Sequence, residues 1–139
     1  MQHIVTVWGA RFSSEDELAA FVETLYDEDG EAQPSVFLDN IGCSWLDDDF
    51  LELHFLSDAE ERAAFVSYLR SEYAPHDAFA DQLPATIGEA LEGYNSIILV
   101  SGSNSSYGAI NEELFQIAKT GAQPGSPAVL LAAVEYESR

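Results

Sequence analysis

A chain of 139 residues is long enough to bury one real core, and its six Tyr, eight Phe and two Trp argue against disorder. Twenty-five Asp and Glu face only five Lys and Arg, a formal net charge of −20. That sign excludes nucleic acid as a ligand, because gripping phosphates needs clustered cations, and it disfavours anionic membranes. It leaves a solubility device, a cation site or a surface that captures a basic macromolecule. The charge is also uneven: residues 1–72 carry seventeen acids against three bases.

Cys43 is the single cysteine, which excludes a disulfide framework and a thiolate metal cluster. The opening MQHIVTVWGARF has no cationic leader and reads as a first strand, and no apolar run reaches membrane-spanning length. The expectation is a soluble cytoplasmic protein, one domain over 1–139, with no cofactor.

In chain order, His3 to Gly9 is β-branched and predicts a strand that ends in a core Trp8. Ser13 or Ser14 caps a helix whose first turn holds Glu15, Asp16 and Glu17. Leu18, Phe21, Val22 and Leu25 recur at helical spacing and predict one buried stripe. A short helix through Val36, Phe37 and Leu38 stops near Gly42. Phe50 to Phe55 alternates, with Leu51, Leu53 and Phe55 facing the core and Glu52 and His54 on an open face. Asp58 caps a helix carrying Ala59, Ala63, Val66 and Leu69 on its apolar face. Residues 76–92 suggest another helical segment broken at Pro84. Ile97 to Val100 is a central strand buried on both faces; Ile110, Leu114, Ile117 and Ala118 mark a helix closed by Gly121; and Val129 to Tyr136 is the last strand. The order β-α-(α)-β-α-α-β-α-β predicts an α+β fold, a mixed sheet of about four strands against helices.

The most unusual stretch is Leu25 to Phe55. It holds two acidic knots, Asp27-Glu28-Asp29-Gly30-Glu31 and Asp47-Asp48-Asp49, with no Lys or Arg between them. Tyr26 adjoins the first knot; Trp45 and Phe50 flank the second. A helix–loop–helix calcium site fails here: with Gly30 in its required place, Leu25 and Val36 fall on ligand positions. Glu52, His54 and Asp47 to Asp49 form a candidate cation or acid–base cluster, but no metal-ligand spacing supports it. SGSNSSYG lacks the spacing of a phosphate-cradling loop and is followed by Glu112 and Glu113, which repel phosphate. Cys43 has no His beside it in sequence and acids close behind, so a nucleophilic role is disfavoured.

Trp8-Gly9 at a strand end, Tyr26 to Gly30 followed by Pro34-Ser35-Val36-Phe37, and Trp45 to Phe50 together resemble the immunity protein 22 family of bacterial polymorphic toxin systems. The likeness covers about the first 56 residues and departs from the family's pattern at Leu46. It implies an α+β immunity protein that binds a cognate protein toxin, such as a nuclease with a basic cleft, and inhibits it without catalysis. The expected contact surface is Tyr26, Asp27, Glu28, Asp29, Glu31, Trp45, Asp47, Asp48, Asp49 and Glu52. The acids would supply charge complementarity, and Tyr26 and Trp45 the aromatic anchors. The rival readings are a small cation-binding protein or enzyme built on Glu52, His54 and Asp47 to Asp49, and a general acidic interaction domain.

Overall fold

A computed structural model describes residues 2–43, 50–56, 58–72, 87–104, 109–122 and 125–137. The elements are β1 (Gln2–Ala10), α1 (Glu15–Val22), β2 (Leu25–Tyr26), β3 (Ala32–Gln33), α2 (Val36–Ile41), β4 (Leu51–Phe55), α3 (Ala59–Glu72), α4 (Ile87–Leu91), β5 (Ser96–Asn104), α5 (Leu114–Thr120) and β6 (Val129–Glu137). This is an α+β fold around a four-stranded sheet of order β4-β5-β1-β6.

Every pairing in that sheet is antiparallel, where the alternation of strands and helices suggested a mixed one. The reason is topological. β1 and β4 point the same way but β5 lies between them; β5 and β6 point the same way but β1 lies between them. Two strand–helix–strand units are thus split and interleaved, so the crossovers remain while each neighbour runs antiparallel.

The helices close both faces of the sheet. On one face Ile4, Trp8, Ile98 and Val100 meet Leu18 and Phe21 of α1, Phe37 and Ile41 of α2, and Leu114 and Ile117 of α5. On the other, Val5, Val7, Ile97 and Leu99 meet Phe65 and Leu69 of α3 and Ile87 and Leu91 of α4. Burial on both sides is why β5 reads as an unbroken apolar run.

Local signals set the helix ends. Ser14 Oγ accepts from the Glu17 amide at 3.2 Å, and Ser35 Oγ from the Leu38 amide at 3.1 Å. Gly42 ends α2 in the left-handed region at φ +73°, and the Cys43 amide returns to the Leu38 carbonyl. Asp58 Oδ1 accepts from the Glu61 amide at 2.8 Å at the head of α3.

Three expectations are corrected. Leu25 does not extend the stripe of α1: that helix stops at Val22, and Leu25 pairs with Gln33 in a two-stranded hairpin. The apolar face of α3 is rotated from the one predicted, with Phe65 and Leu69 buried and Ala59 and Ala63 exposed. Aromatic area outweighs two methyl groups in deciding which face turns inward. Ile110 lies outside the last helix, bridged to Ser103. Its backbone crosses so close to Gly102 that a Cβ there would meet the carbonyl oxygens of Asn111 and Ile110 at 2.7 and 2.8 Å. The expected segment at 76–92 is described only from residue 87 on, where Ile87–Leu91 is helical. Among the described residues, no helix is long and apolar enough to cross a membrane.

Candidate functional site

The first acidic knot is the turn of the β2–β3 hairpin. Asp27 organises it: its Oδ1 accepts from the backbone amides of Asp29 and Glu31, both at 2.9 Å, and its Oδ2 from Gln33 Nε2 at 3.3 Å. The Asp27 amide donates to the Glu31 carbonyl, and Gly30 takes φ +81°, a conformation that glycine adopts without steric cost. A carboxylate bonded to two amides of its own turn is a structural clamp, so Asp27 holds the loop in shape. Glu28, Asp29 and Glu31 are exposed around it. Repulsion among the four acids of this five-residue turn is thus countered locally by the backbone amides that Asp27 accepts from.

Tyr26 stands at the base of this turn, 70% exposed, the most exposed large apolar side chain among the described residues. It borders a groove of about 770 Å³ between the hairpin, α1, α2 and β4. Ala19 and Val22 of α1, Pro34, Phe37 and Leu38 at α2, and Leu51 and Leu53 of β4 form its walls. Among the described residues, Glu23 is the charged one lining it, and neither Lys nor Arg does. Thr24, Gln33 and Ser35 add polar groups, so the trough joins apolar walls to hydrogen-bonding groups beside a carboxylate turn.

Glu52 is exposed on β4, as expected, but the face it shares with His54 is not open. α3 lies across it. The Tyr68 hydroxyl donates to the Glu52 carboxylate, with oxygen separations of 2.9 and 3.0 Å. The His54 ring packs on Phe65 and Tyr68 with centroids 4.8 and 5.5 Å away. Its Nε2 is buried, has no hydrogen-bond partner among the described residues and lies 3.9 Å from Glu52 Oε2, too far for a hydrogen bond. Burial pushes the His54 pKa below its ordinary value, and the Glu52 charge only partly opposes this. Glu52 and His54 are therefore committed to α3 packing, which weakens the cation or acid–base reading. Among the described residues no group of three or more His, Cys, Asp or Glu is arranged to hold a metal.

The neutral form of His54 is the one the fold favours. Its contribution is present above the ordinary histidine pKa and is lost as pH falls through the depressed folded value. His54→Phe is expected to remove this dependence. The urea midpoint of wild type should fall relative to the variant between pH 7.5 and 5, and parallel midpoints would rule out the coupling.

Trp45, Asp47, Asp48 and Asp49 lie outside the described residues. Of the remaining expected contacts, Tyr26, Glu28, Asp29 and Glu31 gather at one hairpin, Asp27 underpins it, and Glu52 stands on the far face of the adjoining strand. Sequence alone does not show the groove walls, because strict alternation places Leu51 and Leu53 in the core. Leu51 is half-buried and packs against that core, while Leu53 is 36% exposed. Cys43 is buried, and its thiol donates to Glu113 Oε2 at 2.9 Å.

A family profile described as immunity protein 22 matches residues 5–137 of the chain. No curated protein and no solved structure matches.

Proposed function

Because the chain belongs to the immunity protein 22 family, we propose that it binds a cognate protein toxin and blocks it without catalysis. The binding surface is the β2–β3 hairpin with Tyr26, Glu28, Asp29 and Glu31, shaped by Asp27, together with the groove beneath it. Trp45 and Asp47 to Asp49, which precede β4 in sequence, belong to the same proposed surface, and Glu52 adds a carboxylate on the opposite face of that strand. The observation that carries this reading is Tyr26, an aromatic ring 70% exposed beside a carboxylate turn whose shape is fixed by its own hydrogen bonds. Such a ring costs little conformational entropy to immobilise and supplies large contact area.

The partner presents a basic surface, as a nuclease cleft does because it binds phosphate. Opposite charge steers the encounter, raising association rates to as much as about 10⁸–10⁹ M⁻¹s⁻¹ at low salt. The buried thiol of Cys43 suits a reducing compartment, consistent with action in the cytoplasm.

The test is co-expression with the toxin domain encoded beside this chain's gene. Reversing Glu28, Asp29 and Glu31 together to Lys should abolish protection and slow association at low salt by about a hundredfold or more. All three side chains are exposed, so the fold should persist. Full protection by the reversed protein would remove the hairpin from the binding surface.

A further inference from the structure

We propose that the outer edge of β4 takes an extended segment of the partner as a fifth strand, with alternate apolar side chains entering the groove and basic ones on the other face. This rests on the toxin-binding role above and specifies its mode of recognition.

β4 ends the sheet, with β5 on one side of it. Backbone direction along it follows from one bond. The Leu56 amide donates to the Asn95 carbonyl at 2.6 Å, one step beyond the Phe55–Ser96 pair. Backbone groups in an antiparallel ladder alternate inward and outward, so Glu52, His54 and Leu56 point theirs at β5. Leu51, Leu53 and Phe55 direct theirs away from the sheet. Among the described residues, no hydrogen bond outside the sheet ladder reaches these three. Two of the devices that blunt an edge, Pro and Lys, are absent from LELHF.

The groove supplies what an edge alone lacks, a pocket for side chains. Leu51 and Leu53 line it from β4, and Tyr26, Val22 and Leu38 close it from the hairpin and helices. A strand laid on β4 places every second side chain on this face, so those residues are apolar. The intervening residues fall on the face of Glu52, whose exposed carboxylate lies beside them, so those residues are Lys or Arg. A second copy of this chain is a poor occupant. Each copy carries a net charge of −20 and would bring its own Glu52 and hairpin acids to the seam.

The probe is a hexapeptide alternating Val and Lys, titrated into the full-length protein, with a Val and Glu counterpart as control. Amide exchange followed by NMR should show the Leu51, Leu53 and Phe55 amides exchanging rapidly in the free protein. At saturating Val–Lys peptide they should slow by about tenfold or more, as ladder formation requires, and the Val–Glu peptide should leave them unchanged. Leu53→Pro removes one outward amide without touching the bonds to β5 and should abolish that protection. Leu53→Lys keeps the amide but sets an ammonium in the groove, and should weaken Val–Lys binding if the proline variant fails to fold. Peptide binding without protection of these three amides overturns the inference, as does protection already present in the free protein with dimers seen by sedimentation. Those failures would leave the co-expression result standing. A charge-reversed hairpin that still protects would instead remove the reading on which this one rests.

Discussion

Trp8→Ala is expected to remove roughly 3–5 kcal/mol of stability. The indole is fully buried and meets the Phe37 ring edge-on at 5.5 Å and 82°. Its Nε1 donates to Thr6 Oγ1 at 2.9 Å, and that hydroxyl donates in turn to the Val100 carbonyl at 3.0 Å. Truncation therefore opens a cavity and takes one donor from a buried hydroxyl two residues away on the same strand face. For a chain of this size, a loss of that magnitude lowers Tm by on the order of 10–20 °C. Chemical and thermal denaturation both report it. Trp8→Phe should be milder, since it keeps most of the apolar volume and loses the donor. If Trp8→Ala left the urea midpoint unchanged, the indole would not be the keystone of this face. The loss also reaches the proposed site, because Phe37 both packs on Trp8 and floors the groove.

What could be read from the sequence was what nearby residues decide. The continuous apolar run of β5, the caps at Ser14 and Asp58, the short helix closed by Gly42 and the core position of Trp8 all follow from local pattern. Pairing direction did not, because a strand–helix–strand order is shared by an adjacent parallel pair and by a split unit with a strand between. The face of Glu52 and His54 looked solvated because period two separates the sides of a strand without saying what covers them. Phe65 and Tyr68, eleven and more residues away, close that side.

The hairpin was hidden by a coincidence of spacing. Leu25 falls four residues after Phe21, as a helix would require, but Gly30, Pro34 and the clamp through Asp27 give the chain a tighter alternative. Helical spacing thus assigned to the core a residue that is 45% exposed. The same kind of error concealed the groove. Leu53 shares its strand face with Leu51 and Phe55, yet it lies where α1 and the hairpin leave the sheet uncovered.

Tyr26→Ala is expected to weaken the complex with the cognate toxin by about 2 kcal/mol or more, roughly thirtyfold in Kd, while leaving the unfolding free energy from urea denaturation within about 0.5 kcal/mol of wild type. The two halves of that expectation come from one fact: the ring is 70% exposed, so the free protein loses little when it is removed. The turn keeps its shape, because the bonds that fix it belong to Asp27, Gly30 and Glu31 and not to the Tyr26 side chain. The affinity change should appear mainly as faster dissociation, since an apolar anchor acts after the encounter. Glu28→Gln and Asp29→Asn should do the opposite, slowing association in a salt-dependent way with little effect on dissociation. Tyr26→Phe separates ring from hydroxyl: affinity close to wild type assigns the energy to buried area, and a loss equal to that of Ala assigns it to a hydrogen bond from the hydroxyl. If Tyr26→Ala bound as tightly as wild type, the hairpin would be a charged rim, and the anchor would have to be sought at Trp45.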